Sequence, residues 1–255
     1  MTAPLKVWFE AGGRLLRLRL SRPKANLIDA AMIAALDGAL AEHLDNADLG
    51  AVLLDAEGPH FSFGASVEEH LPGQCAAMLR GFHGLLLRLV RSPVPVLVAV
   101  RGQCLGGGLE LAVAGHLLFV APDAVLGQPE MKLGVFAPAA SCLLPELIGP
   151  MRAIDLLLSG RSITGAEAVA VGMAREAAAD PERAALAYFD EQLKPKSASS
   201  LRCAVKAARC DHAARVAAKI ETVERIYLDE LMNTHDAVEG LQAFLGKRTA
   251  QWQHR

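Results

Sequence analysis

Short runs of nearly unbroken apolar residues alternate with longer stretches of helical periodicity, and this alternation limits the fold more than any other feature. Ala51–Asp55, Val94–Val100 and Leu117–Val120 read as strands buried on both faces. Arg14–Leu20 alternates instead. It places Leu16, Leu18 and Leu20 on one side and reads as a half-buried strand. Between these runs Ile33, Leu36, Leu40 and Leu44 recur at helical spacing, as do Met78, Phe82, Leu85, Leu86 and Leu89. Strands alternating with helices predict an α/β core. Beyond about Asp155 almost everything reads as helix, and Pro195 to Ala198 reads as a joint. The expected division is a core over 1–195 and a helical region over 196–255. Helical patterns in the second part run through Val205, Ile220, Val223, Ile226, Leu231, Leu241 and Phe244. Such a tail buries its apolar stripe against the core or against another subunit, and the second is the expectation.

Composition excludes several classes. Hydrophobic residues make up 52% and charged residues 21% of 255, which argues against disorder. A formal net charge of −2 gives no reason to expect nucleic acid or an anionic membrane as a partner. Cys75, Cys104, Cys142, Cys203 and Cys210 are scattered, with no C-x-x-C pair, and read as reduced thiols of a cytoplasmic protein without a zinc site. No basic start followed by an apolar stretch marks a signal peptide, and the longest apolar runs are too short to span a bilayer.

The chemistry concentrates around two acids. Glu110 ends the run GQCLGGGLE from Gly102, and Glu130 ends LGQPE from Leu126. Each follows a glycine or proline turn that can aim a side chain into a cleft. Two carboxyl groups facing one substrate can exchange protons with water and carbon. The glycines Gly106 to Gly108 let a backbone N–H approach a substrate oxygen closely. The plainer reading of this segment is a tight turn with a capping glutamate in the first helical turn. No Lys-Ser or Lys-Thr follows, so a phosphate cradle is a poor fit. In Phe61–Ser66, FSFGAS, the N–H of Ala65 could serve as a second oxyanion donor. A nucleophilic Ser66 is not supported, because the second glycine of G-x-S-x-G is missing. Glu68, Glu69 and His70 lack metal-ligand spacing and read as a solvated segment. His116 reads as a hydrogen-bonded core histidine.

Taken together, these segments resemble the enoyl-CoA hydratase/isomerase (crotonase) superfamily over nearly the whole chain. VRGQCLGGGLELA, Val100 to Ala112, resembles V-N-G-x-x-x-G-G-G-x-E-L-A. Phe61–Ser66 resembles F-x-x-G-A-D, LGQPEMKLG from Leu126 resembles F-x-x-P-E-x-x-x-G, and RPKA from Arg22 resembles the first CoA-contacting turn. The resemblance implies a spiral of ββα repeats with a C-terminal helical trimerisation region, assembled as a homotrimer or a hexamer of paired trimers. It implies an acyl-CoA substrate, with coenzyme A as part of the substrate and no separate cofactor or metal. Glu110 and Glu130 match the two hydratase carboxylates, and Ala65 and Gly107 the two oxyanion N–H groups. Lys24, Ala25, Ser66, Val67 and Lys247 match positions near the CoA, Lys247 reaching that of a neighbouring subunit.

The chain departs from the common pattern at Ser66, where the family has Asp, and over Val135–Cys142, VFAPAASC, where many hydratases are glycine-rich. Phe136, Pro138 and Ala140 are expected to line a stiffer, more apolar acyl pocket. With Phe61–Pro72, this stretch resembles the branch that hydrates cyclohexa-1,5-diene-1-carbonyl-CoA to 6-hydroxycyclohex-1-ene-1-carbonyl-CoA in anaerobic benzoyl-CoA degradation. A short-chain 2-enoyl-CoA hydratase is the alternative. An isomerase or lyase would need one acid only, and a silent scaffold or RNA binder would need altered acids or a basic face. Which glutamate is acid and which is base stays open.

Overall fold

In the computed structural model, which describes residues 3–255, the alternation resolves into a spiral. The elements in order are β1 (Leu5–Glu10), β2 (Leu15–Leu20), α1 (Ala30–His43), β3 (Ala51–Ala56), α2 (Cys75–Val90), β4 (Val96–Val100), β5 (Gln103–Leu105), α3 (Gly107–Val113), β6 (Leu117–Val120) and β7 (Val125–Gly127). There follow α4 (Pro138–Ile148), α5 (Pro150–Ser159), β8 (Ser162–Thr164), α6 (Gly165–Ala170), β9 (Glu176–Ala177), α7 (Pro181–Tyr188), α8 (Ala198–Arg225) and α9 (His235–Leu245). The first two residues of the expected 1–195 core lie outside the described residues.

The larger sheet has the order β1-β2-β3-β4-β6-β9. It is parallel except for the β1–β2 pair. A smaller sheet stacks β5-β7-β8, and parallel bridges Ile28–Ala65 and Ser62–Cys104 continue it. Each pass of the chain thus gives one segment to the large sheet and one to the small before a helix returns it. This is the expected ββα spiral, and it brings the segments after β3, β4 and β6 to one side of the molecule.

The core has two layers. Leu16, Leu18, Leu20, Val52, Leu54, Val96 and Val98 pack with α1 and α2 on one face. Leu15, Leu53, Leu97 and Phe119 pack on the other with Phe189 and Leu193. The second layer corrects the reading of Arg14–Leu20 as half-buried. Arg17 is 2% exposed, because its guanidinium meets Asp55 at 2.6 Å and Glu182 of α7 at 2.6 Å. A paired charge can be buried where a lone one cannot. The short strands β8 and β9 lie in the stretch that read as almost wholly helical. Strands of two or three residues carry no period to detect.

Ser197 caps α8, accepting from the Ser200 N–H at the expected joint. The C-terminal stripe does find partners within the chain. Val216, Ile220 and Tyr227 are buried, and α8 packs on α2 and α4. Ile226 and Phe244 remain 40% and 53% exposed. Helix α9 packs on the 3₁₀ turns Glu68–His70 and Pro129–Leu133. No described helix is long and apolar enough to cross a membrane.

Candidate active site

Two helix N-termini converge on one cavity. Helix α3 opens at Gly107, straight after β5, and the backbone turns there through Gly106 at φ +49 and ψ −126. The first N–H groups of a helix lack intrahelical acceptors and carry partial positive charge. Gly107 lies against Ala65: a Cβ added at Gly107 would stand 3.1 Å from Ala65 N. The two expected oxyanion donors are therefore neighbours, and both residues line the cavity. Helix α4 opens at Pro138, which has no N–H to waste at the first helical position. Two residues on, the free N–H of Ala140 donates to Glu110 Oε1 at 2.7 Å.

Glu110 is buried on the first turn of α3, its own N–H bonded to Gly106 O at 3.0 Å. Burial pushes its carboxyl above the usual range. The N–H groups of Ala140 and Ala139 pull the other way. Glu130 projects from the 3₁₀ turn Pro129–Leu133, and its Oε1 occupies the space a Cβ on Gly106 would need. Any side chain there would displace the carboxyl group, so the glycine serves contact as well as backbone conformation. Enclosure by the cavity walls, then the neighbouring charge of Glu110, pushes Glu130 up to about 8. The Gln128 amide, with its nitrogen turned toward Glu130, donates to both carboxyl oxygens at 3.0 and 3.2 Å. Two acids in one apolar enclosure tend to split their pKa values, so that one can ionise while the other holds its proton.

The cavity holds about 580 Å³, in the range of small-molecule sites. Its apolar wall includes Phe63, Phe82, Phe136, Pro138, Leu241 and Phe244. Phe136 and Pro138 thus stand where the acyl pocket was expected. Ala140 does not line the space and instead holds Glu110 from behind. Phe136 is braced by Tyr227, ring centroids 5.2 Å apart.

The expected CoA positions are less gathered. Val67 lines the cavity. Ala25 O accepts from the N–H of Phe63 at 2.9 Å. Ser66 Oγ donates to Glu68 at 3.0 Å. Lys24 and Lys247 are exposed, the latter just past α9. The turn at Glu68–His70 is no free solvated segment. Glu69 accepts from the Ala30 N–H at the start of α1, and His70 lines the cavity with its Nδ1 2.8 Å from Ser66 O. His116 is a core histidine: its Nδ1 accepts from Val96 N–H at 2.8 Å, and burial lowers its pKa to about 3. Among the described residues no group of three or more His, Cys, Asp or Glu could hold a metal ion.

Gln128, His83 and Tyr227 were not anticipated. Gln128 sits two places before Glu130 inside a motif already singled out, so its position was a usable signal. His83 lies within the apolar helical pattern of α2, and Tyr227 beside Ile226. Nothing local marks either of them.

Comparison with known proteins places this geometry. Residues 10–255 match the family model described as enoyl-CoA hydratase/isomerase. The chain is 65% identical over 254 residues to cyclohexa-1,5-dienecarbonyl-CoA hydratase of Thauera aromatica, covering 100% of this chain and 98% of the relative. It is 32% identical to a probable enoyl-CoA hydratase of Bacillus subtilis strain 168, covering 92% and 93%. Among solved structures, carnitinyl-CoA hydratase of Mycobacterium avium superposes with a TM-score of 0.87 at 28% identity, both chains covered completely.

Proposed function

The chain belongs to the enoyl-CoA hydratase/isomerase family and is an acyl-CoA hydratase, a hydro-lyase; we propose that it adds water to cyclohexa-1,5-diene-1-carbonyl-CoA, giving 6-hydroxycyclohex-1-ene-1-carbonyl-CoA. The observation that carries the mechanism is the pair of unlike carboxyl groups, Glu110 and Glu130, on one cavity with the N–H groups of Ala65 and Gly107. End-to-end similarity to the Thauera aromatica hydratase supports the substrate, and so does the broad apolar wall built by Phe136 and Pro138.

The N–H groups of Ala65 and Gly107 donate to the thioester oxygen and stabilise the charge that gathers there as the dienolate forms. Glu110, whose Oε1 accepts from the backbone N–H of Ala140 at the head of α4, is assigned as the carboxylate and takes a proton from water. The water oxygen bonds to one terminal carbon of the diene. Glu130, protonated, gives its proton to the other terminal carbon, and the remaining double bond settles between the two central carbons. Proton exchange between the acids and solvent restores both. The step moves protons only, so it calls for no metal or redox cofactor, and coenzyme A arrives as part of the substrate.

Val67 and Ser66 stand beside the oxyanion donor Ala65 and are assigned to the CoA with Lys24 and Ala25. Lys247 is assigned to the CoA of a neighbouring subunit. Residues 196–255 are assigned to oligomerisation, on the exposed apolar Ile226 and Phe244. Light scattering at micromolar concentration is expected to give the mass of three or six copies, and a monomer would remove this assignment. Five free cysteines fit a reducing, cytoplasmic setting, and the reaction fits anaerobic benzoyl-CoA degradation.

The test is a panel of CoA esters followed by mass spectrometry for the gain of one water. The kcat/KM for the cyclic dienoyl ester is expected to exceed that for crotonyl-CoA by at least roughly 100-fold, the scale of two or three pocket contacts. Comparable values, or a preference for crotonyl-CoA, would leave a short-chain 2-enoyl-CoA hydratase. Double-bond migration without gain of water would leave an isomerase.

A further inference from the structure

His83 stands on α2 in the wall of the same cavity, 2% exposed, among Met78, Leu79 and Phe82. Its Nδ1 lies 2.6 Å from Glu224 Oε1 on α8. The hydrogen bond to His83 holds the Glu224 carboxyl below its usual range. A carboxylate accepts, so Nδ1 carries the proton and Nε2 is the free end of the ring. That nitrogen is buried and has no hydrogen-bond partner. Buried polar atoms are nearly always paired, and one left unpaired at a cavity wall points to a ligand atom.

The reading of the substrate given above, on which this inference rests, narrows the choice of atom. The thioester oxygen is taken by Ala65 and Gly107. The ring is otherwise apolar. The one remaining polar atom within the acyl group is the hydroxyl oxygen that the reaction installs, and it forms beside Glu110. His83 and Glu110 line the same cavity, so the imidazole and the acid face one enclosure. Tyr227, three residues after Glu224, also has an unpaired buried hydroxyl, but Phe136 rather than Tyr227 lines the cavity.

We infer that His83, anchored by Glu224, binds the hydroxyl oxygen of the product, and the water from which it comes, through Nε2. It is a third polar contact of the acyl site, separate from the two carboxyl groups and the oxyanion donors. Its consequence is orientation: the ring is held so that its hydroxyl-bearing carbon faces Glu110.

The test compares two ligands in the full-length chain, with Glu130→Gln present so that turnover is slow beside binding. One is 6-hydroxycyclohex-1-ene-1-carbonyl-CoA, and the other is cyclohex-1-ene-1-carbonyl-CoA, which lacks the hydroxyl. His83→Gln and His83→Met have similar shapes, but only Gln can hydrogen-bond. His83→Met is expected to weaken the hydroxylated ligand by about tenfold, equivalent to roughly 1.4 kcal/mol, and to change the hydroxyl-free ligand by less than about twofold. His83→Gln is expected to keep most of the affinity for both. Glu224→Gln, which loosens the imidazole, is expected to act on the hydroxylated ligand alone and by a smaller factor. Parallel loss of both ligands in His83→Met, or no loss of either, would overturn the inference. If the chain with His83 intact bound neither ester, the acyl-CoA reading itself would fall. Binding of the hydroxyl-free ligand reports in each variant that the cavity has folded.

Discussion

Glu110 and Glu130 face the same cavity from walls of different construction. Glu110 stands in the first turn of α3 and looks into the N-terminus of α4, where Ala140 meets it at 2.7 Å. Glu130 stands on a 3₁₀ turn, pressed over Gly106 and steadied by the side-chain amide of Gln128. Fixed backbone dipoles favour a carboxylate. Enclosure beside an existing negative charge favours a carboxylic acid. Two identical side chains thereby stand in unlike surroundings, which supports the proposed division of base and acid between them.

The largest effect should come from deleting either member of the pair. Glu110→Gln or Glu130→Gln is expected to lower kcat by roughly 10²–10⁴-fold, the range for loss of a general acid or base, with melting temperature little changed because Gln nearly keeps the shape. Near-normal hydration by either purified variant would break the two-carboxyl mechanism.

Ala140→Pro removes the N–H that donates to Glu110 Oε1, at a position within the first helical turn, where proline breaks no intrahelical hydrogen bond. A hydrogen bond to a charged group contributes about 1.5–3 kcal/mol, so kcat/KM should fall by about 10–100-fold while the fold persists by circular dichroism. An unchanged kcat/KM would mean that the α4 N-terminus does not set the state of Glu110.

The smallest effect is a displacement along the pH axis. Glu130 must be protonated to act as acid, so activity is retained below its raised pKa and lost as pH rises through about 8. The alkaline limb of kcat/KM against pH should lie there. In Glu110→Gln the neighbouring charge is gone, and the alkaline limb of the residual activity should move to lower pH. An unmoved limb would show that the two acids do not sense each other.

Much of the fold was legible. The cores of β3, β4 and β6 announced themselves because strands buried on both faces must be apolar throughout. Helices α1 and α2 did so because each buries one face. Strand β1 was not anticipated. It is an edge strand with five of its six residues partly or fully exposed to solvent, Phe9 among them at 41% exposure, so no burial pattern marks it. Strands β5 and β7 were hidden inside the two acid motifs, where three residues are too few to show a period. The acids themselves stood out because glycine and proline nearby have few uses other than close approach and sharp turns.

The sequence by itself determined the α/β alternation, the two acids and the glycine turn that presents them, because each is written in residues a few places apart. Tertiary structure alone decided that the VFAPAASC segment enters a helix whose free N–H faces Glu110. It alone brought Glu182 over Arg17, and Glu224 across to His83, 141 positions away along the chain. Local spacing fixes local geometry through dihedral preference and period. Which distant side chains meet, and therefore which of two like carboxyl groups keeps its proton, depends on how helices stack once the sheet has formed.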